Sequence, residues 1–136
     1  MPLKDEIESF FTNYLRAFDN KDAEAISRLW DPVGLFPSPA GNFAMERDAF
    51  RDHCRELLDF YQKQGVVKPT GELRSVSELF PNVAQARLVY RMLGENEKTI
   101  VQWEHVYILR KTDQWRVSLT IADDEMAAWK AYGAKF

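Results

Sequence analysis

The sequence has little of several features that mark particular classes of protein. Cys54 is its one cysteine, which excludes an internal disulfide. Lys and Arg number 18 against 21 Asp and Glu, a net charge of -3. No basic stripe stands out to neutralise phosphates, so we expect no nucleic-acid partner. No stretch approaches the ~18 apolar residues of a membrane span, and residues 1–11 lack the apolar run of a signal peptide. We therefore predict a cytoplasmic protein without a membrane partner.

Histidine is also scarce, with only His53 and His105. They lie far apart in the sequence and show no metal-ligand spacing such as HxxxH. The sequence therefore predicts neither a metal site nor a cofactor.

The 136 residues are enough for one domain with a sizeable core, and we expect residues 1–136 to form a single unit. Hydrophobic residues make up 46% and charged residues 29%, which is typical of a soluble globular protein. Aromatic residues reach 13%, enough to line a cavity as well as fill a core.

The first half of the chain has helical periodicity. Apolar residues recur at helical spacing over residues 3–18, and Asp22 is placed to cap a short helix that ends before Pro32. Prolines and glycines interrupt residues 31–43, and this composition fits either short strands at 33–36 and 42–44 or an ordinary connecting loop. A third helix is predicted over residues 46–64, with Cys54 on its apolar stripe and His53 at the edge of that stripe.

The second half alternates between apolar and polar residues instead. Strands are predicted at 71–80 and 83–93, followed by a long hairpin over 99–122, and the acidic triplet 123–125 begins a short terminal helix. Helices followed by four antiparallel strands predict an α+β fold with the helices on one face of the sheet.

The hairpin has two different faces if Thr112 and Asp113 form a two-residue turn. A three-residue turn would change the pairing and redraw the site. The two-residue turn predicts an aliphatic face that pairs Ile108 with Val117, Val106 with Leu119 and Glu104 with Ile121, and a mixed face that pairs Leu109 with Arg116, Tyr107 with Ser118, His105 with Thr120 and Trp103 with Ala122. The mixed face combines large aromatic residues, a histidine and small hydroxyl residues, which is typical of a ligand pocket.

The order of elements, together with the segments YLRAFDNKDAEAISRLW and HVYILRKTDQWRV, resembles the nuclear-transport-factor-2-like superfamily. That group includes ketosteroid isomerases, scytalone dehydratase and polyketide-cyclase-like proteins. The resemblance covers nearly the whole chain. It implies three N-terminal helices packed on a strongly curved antiparallel sheet, a cystatin-like cone with an interior pocket. It does not specify an activity, because this fold hosts unrelated functions.

Positions carried over from ketosteroid isomerase match only in part. The resemblance places the oxyanion tyrosine of that family on Tyr14, its second oxyanion donor on Tyr107 and its catalytic base on Ser38. Because a serine without a base cannot abstract a carbon-bound proton near neutral pH, ketosteroid isomerase activity is not expected. If Tyr107 points inward, alternation turns Trp103, His105 and Leu109 inward too. The neighbouring strand would then turn Ala84, Ala86, Leu88, Tyr90 and Met92 inward.

These placements predict a protein that binds a small, mostly apolar molecule with a polar group. The alternative is a cofactor-independent isomerase, lyase or cyclase with catalytic residues His105, Tyr107 and Tyr14. A histidine and tyrosines that merely fill the core, and a pair formed by His53 with His105, also stay open. The predicted pocket residues are Trp103, Ser38, His53, Tyr90, Thr120 and Ser118.

The outward face of the sheet would be too apolar to leave in water. We expect a two-fold homodimer to cover it. Glu104 on the same face is expected to pair with Arg87 or Arg91, although a register slipped by one residue would move Glu104 into the cavity as a candidate base. The residues predicted to form the dimer interface are Val89, Val106, Ile108, Val117, Leu119 and Ile121.

Overall fold

The computed structural model describes residues 2–135 and contains four α-helices in that range. Three of them precede the long strands, as predicted, and the fourth follows the sheet. The helices of residues 2–135 include no candidate for a membrane span. The helices are α1 (Leu3–Asp19), α2 (Ala23–Arg28), α3 (Arg47–Lys63) and α4 (Asp123–Tyr132).

Six strands form one sheet in the order β2-β1-β6-β5-β4-β3. Of the two interpretations of the proline-rich segment, the short strands are confirmed, and they lie within β1 and β2. One correction concerns direction: β1 pairs with β6 in parallel, whereas every other neighbouring pair is antiparallel. The strands are β1 (Trp30–Ser38), β2 (Gly41–Glu46), β3 (Lys68–Phe80), β4 (Val83–Leu93), β5 (Thr99–Lys111) and β6 (Trp115–Ile121).

The predicted register of the β5–β6 hairpin is wrong. Lys111 pairs with Trp115, so three residues form the turn instead of two. A bulge follows at Ser118, which has no partner on β5, and it shifts the pairing by one more residue. All seven predicted pairs are therefore replaced. Those observed beyond the turn are Arg110 with Arg116, Leu109 with Val117, Ile108 with Leu119, Tyr107 with Thr120 and Val106 with Ile121.

The predicted inward faces of β4 and β5 are confirmed, because alternation within a strand does not depend on the turn. Val117 is a correction: predicted to point outward, it pairs with Leu109 and both are fully buried. The bulge at Ser118 restores the inward position of Thr120, which is 5% exposed. The buried residues are Ala84, Ala86, Leu88, Tyr90 and Met92 on β4 and Trp103, His105, Tyr107 and Leu109 on β5.

The helices cover this inner face with their apolar sides. Phe11 and Tyr14 of α1 both lie against Tyr107 of β5. Cys54 of α3 is buried in the same core. Trp129 anchors α4, since it is 1% exposed and stacks on Tyr61 of α3. The cavity therefore lies between the sheet and three separate helices.

The outer face of the sheet is apolar on one side and charged on the other. Leu35 and Ile121 are 44% and 45% exposed, and Leu35 is in register with Leu119 of β6. Toward β4 the face becomes polar, and Glu104 forms the expected ion pair with Arg87. Glu104 therefore stays outside the cavity.

Candidate functional site

An aromatic cavity of about 130 Å³ opens between the inner face of the sheet and the helices. Nine of its 19 lining residues are Phe, Tyr or Trp. Close packing behind the wall holds these rings in place. For example, a Cβ atom on Gly71 would lie 2.9 Å from the ring of Tyr90, so only glycine fits on β3 beside that ring.

Four residues on β4 and β5, named here the strand cluster, contribute polar atoms that pair with one another. The hydroxyls of Tyr90 and Tyr107 form a hydrogen bond of 2.6 Å. Nε1 of Trp103 donates to Nδ1 of His105 over 2.9 Å. The ring of His105 stacks on that of Tyr107 with 4.6 Å between centroids. The alternation of β5 brings its three members to one face.

Burial keeps the strand cluster uncharged near neutral pH. It lowers the pKa of His105 to about 3 and raises the pKa values of Tyr90 and Tyr107 above the usual range for tyrosine. Because Nδ1 of His105 accepts the bond from Trp103, the proton of the neutral ring sits on Nε2. His105 is thus a hydrogen-bond donor to the cavity and is poorly suited to act as a base.

Tyr14 lies beside the strand cluster. Its hydroxyl accepts a hydrogen bond of 3.0 Å from Nε1 of Trp30, which leaves the phenolic proton free to be donated. Burial raises the pKa of Tyr14 well above its usual value. The three predicted catalytic residues Tyr14, His105 and Tyr107 therefore meet at one cavity as neutral groups.

The sequence analysis missed a carboxylate in the cavity. Glu125 on α4 lines it and accepts hydrogen bonds at Oε2 from the hydroxyl of Tyr61, at 2.5 Å, and from Nε1 of Trp129, at 3.3 Å. We name these three residues the helix cluster. Burial raises the pKa of Glu125 to about 7, although both hydrogen bonds oppose that shift. A group with this pKa can take up or release a proton near neutral pH.

A sequence signal for Glu125 was nevertheless present. Glu125 and Trp129 are four residues apart, so in a helix they share a face. A buried Trp129 turns that face toward the core. In the sequence analysis, the acidic triplet at residues 123–125 serves only to mark the start of the terminal helix, where carboxylates favour the helix dipole.

The predicted pocket residues divide into two groups. Trp103, Tyr90 and Thr120 line the cavity, and His53 borders it while staying exposed to solvent. The ring contacts of His105 are with Tyr90, Trp103 and Tyr107, and that of His53 is with Phe50. The two histidines are therefore not a contacting pair.

Ser38 and Ser118 are corrections, because neither lines the cavity. Ser38 lies at the end of β1, where its hydroxyl donates to the carbonyl of Gly41 and accepts from the amide of Ala40. The hydroxyl of Ser38 thus forms its hydrogen bonds within the β1–β2 turn and not with groups of the cavity. Ser118 occupies the bulge of β6 and is turned away from the position that alternation predicted.

The donor set within residues 2–135 is unlike that of a metal centre. No group of three or more His, Cys, Asp or Glu side chains in this part of the chain is arranged to hold a metal ion. Cys54 lines the cavity, but burial raises the pKa of its thiol to about 12. It is therefore an unreactive part of the wall near neutral pH.

Solved structures similar to this chain share its fold. A domain of unknown function with a cystatin-like fold from Nostoc punctiforme is 19% identical with a TM-score of 0.70, over 89% of this chain and 77% of that chain. Aln2 from a Streptomyces species is 11% identical with a TM-score of 0.72, over 95% of each chain. A ketosteroid isomerase-like protein from Erwinia carotovora atroseptica is 16% identical with a TM-score of 0.65, over 86% of this chain and 92% of that one.

At these levels of sequence identity, the similar structures show that the fold is shared but do not allow an activity to be assigned to this chain. No curated protein matches the sequence. A family model described as NTF2-like protein (DUF6841) matches residues 5–125. This match confirms the resemblance found in the sequence, and the chain belongs to this NTF2-like family.

Proposed function

We propose that the protein binds a small, largely apolar molecule with one polar group in the aromatic cavity. The observation that carries the proposal is the cavity of about 130 Å³ itself. An apolar cavity of ~150 Å³ engineered in another protein is large enough for benzene. The ligand is therefore the size of a single ring.

Two polar positions in the wall support this function. Nε2 of His105 carries a proton with no acceptor among the described residues, and Oε1 of Glu125 accepts no hydrogen bond from them. A few polar groups in a mostly apolar wall are typical of sites that orient a small molecule. The rest of the wall supplies contact area.

NMR titration with cyclopentanol, a neutral molecule of suitable size, tests this proposal. We expect the indole N–H signal of Trp103 to shift on titration, because that residue lines the cavity. Ala122→Leu is the matched control, since a larger side chain on the lining residue Ala122 fills the space. Absence of a shift in the original protein at millimolar cyclopentanol would contradict the proposal.

A second candidate function is cofactor-independent acid–base catalysis of the isomerase, lyase or cyclase kind. The observation that favours it is Glu125, whose carboxylate lies in the same cavity as the neutral donors Tyr14, His105 and Tyr107. Its pKa of about 7 suits a general base that works near neutral pH. In this function Glu125 takes the proton, and His105 and the tyrosines stabilise a developing oxyanion.

Exchange of α-hydrogens of cyclopentanone in deuterium oxide tests this second candidate. Glu125 would remove a proton from the α-carbon while the C–H electron pair forms the enolate, and a deuteron would then return to that carbon. We expect faster exchange with the original protein than with Glu125→Gln. Equal rates would eliminate Glu125 as the base.

For the outer face we propose a homodimer with two-fold symmetry. The support is an apolar area that includes Val33, Leu35 and Ile121, each more than two-fifths exposed. It borders a strip with both signs of charge, in which Arg87 pairs with Glu104. A second copy placed antiparallel would cover the apolar area and meet opposite charges at its border.

Sedimentation equilibrium tests the dimer at micromolar concentration. We expect a dimer that Ile121→Lys converts to a monomer, since a lysine in the apolar area would be buried without a partner. Val67→Lys is the matched control, because Val67 is 65% exposed and lies on the connection between α3 and β3. A monomer before any substitution would overturn the proposal.

A further inference from the structure

The described part of the cavity wall holds one carboxyl group, which is about half ionised near pH 7, and no fixed positive charge. Glu125 is the only Asp or Glu among the described residues that line it, and no Lys or Arg lines it. His105 stays neutral because burial lowers its pKa to about 3. His53 is exposed at the border of the cavity. The interior therefore offers Glu125 no cationic partner.

The carboxylate is also incompletely satisfied. Both of its hydrogen bonds from described residues, those of Tyr61 and Trp129, end on Oε2. Within residues 2–135, no ion pair includes Glu125. Glu125 is only partly exposed to solvent, and a partly buried carboxylate is stabilised by a cation or by further donors. Oε1 is the atom at which a ligand can supply them.

The aromatic wall suits a cation for a separate reason. The faces of aromatic rings carry partial negative charge, so they attract ammonium groups that have lost part of their water. A neutral apolar ligand would use these rings only as contact area. The tyrosine and tryptophan rings that line the cavity together with Glu125 are Tyr14, Trp30, Tyr61, Tyr90, Trp103 and Tyr107.

We propose that the ligand is a small organic ammonium ion, with an N–H group that donates to Oε1 of Glu125 and a hydrocarbon part that packs against the aromatic wall. This inference rests on the proposed binding function and specifies its ligand class. A primary, secondary or tertiary amine of single-ring size meets both requirements. Near neutral pH such an amine carries a proton and a positive charge.

Calorimetric titration with cyclopentylammonium and with cyclopentanol tests the charge, because the two molecules have the same ring and similar size. The measurement is made at about pH 8, above the pKa of Glu125, where both the carboxylate and the ammonium are charged. We expect cyclopentylammonium to bind at least about tenfold more tightly than cyclopentanol.

Two variants locate the effect. Glu125→Gln keeps an oxygen that accepts from Tyr61 but removes the charge, and we expect it to abolish the advantage of the ammonium ion. Glu97→Gln makes the same change of charge on an exposed residue between β4 and β5, and we expect it to keep the advantage. Retention of the advantage in Glu125→Gln would overturn the inference.

The neutral molecule separates this inference from the function on which it rests. Equal binding of cyclopentanol and cyclopentylammonium would overturn the ammonium ligand and leave the binding function intact. If neither molecule binds, both the inference and the binding function fail.

Discussion

The two polar clusters of the cavity use the same chemical groups in opposite ways. In the strand cluster, the indole of Trp103 donates a hydrogen bond to one nitrogen of His105, and the hydroxyls of Tyr90 and Tyr107 share one hydrogen bond. In the helix cluster, the indole of Trp129 and the hydroxyl of Tyr61 both serve one carboxylate. The strand cluster therefore remains neutral, whereas the helix cluster holds a group that titrates near neutral pH.

The two clusters show that burial shifts the pKa values of an acid and of a base in opposite directions. Burial disfavours the charged form, so it lowers the pKa of His105 and raises that of Glu125. The two residues therefore destabilise the folded state in different pH ranges. Between about pH 4.5 and pH 6.5 their effects on stability have opposite slopes and largely cancel.

The largest expected effect comes from Trp129→Ala, which removes the anchor of the helix cluster. Trp129 is 1% exposed and packs on Phe60 and Tyr61. Its loss leaves a large void, and we expect the free energy of unfolding to fall by roughly 3 to 5 kcal/mol in urea denaturation. Met126→Ala on the same helix is the control, since Met126 is 49% exposed. Equal losses in the two variants would show that α4 is not held through Trp129.

The acid side of the comparison is tested with His105→Asn. The folded-state pKa of His105, about 3, lies below its ordinary value of 6.5. The unfolded chain therefore gains a proton first as pH falls, and the contribution of His105 alone to stability drops by on the order of 4 kcal/mol between pH 6.5 and about pH 3. The Oδ1 atom of Asn can accept from Trp103 but does not titrate. Denaturation at several pH values should show a flatter acid limb for His105→Asn than for the original protein, whatever the cost of the substitution at pH 7.

Glu125 has the opposite effect, because it lowers the stability of the folded state as pH rises. Its folded-state pKa, about 7, lies above the ordinary value of 4.5, so the folded state keeps its proton while the unfolded chain loses it. The contribution of this group to stability is full below pH 4.5 and falls by on the order of 3 kcal/mol as pH rises through 7.

We expect Glu125→Gln to remove that fall, so that at pH 8 the variant is at least as stable as the original protein. Thermal denaturation across this range measures the difference between the two proteins. A constant difference from pH 4 to pH 8 would show that Glu125 is ionised in the fold as easily as in the unfolded chain.

The same contrast explains what the sequence could reveal. The inward positions of Trp103, His105 and Tyr107 follow from alternation along one strand, which is a local property. The pairing of β5 with β6 does not, because it depends on a three-residue turn and on a bulge at Ser118. Both are settled by packing, in which Val117 and Thr120 must point inward although they are three residues apart.

The helix cluster could not be assembled from local patterns. Tyr61 and Glu125 are 64 residues apart and meet only because α3 and α4 pack together. The partial match to ketosteroid isomerase drew attention to Ser38 as the site of a missing base. That position lies in the β1–β2 turn, and the carboxylate of the cavity comes from the other end of the chain.

The smallest expected effect on stability comes from removing one hydroxyl of the Tyr90–Tyr107 pair, and it can be compared with removing the Tyr61 donor to the Glu125 carboxylate. Tyr107→Phe removes one partner of the Tyr90–Tyr107 hydrogen bond and leaves the other hydroxyl buried, at a cost of about 1 to 2 kcal/mol. Adding Tyr90→Phe removes that unpaired hydroxyl, so the double variant should be little less stable than the single one. Urea denaturation of the double-mutant cycle measures this coupling.

The helix cluster should not show such recovery, because Tyr61→Phe leaves a carboxylate that has lost a donor, and the pKa of Glu125 should then rise further. If the losses of stability from Tyr90→Phe and Tyr107→Phe are additive, the two hydroxyls are satisfied independently. The proposed difference between the strand cluster and the helix cluster would then be wrong.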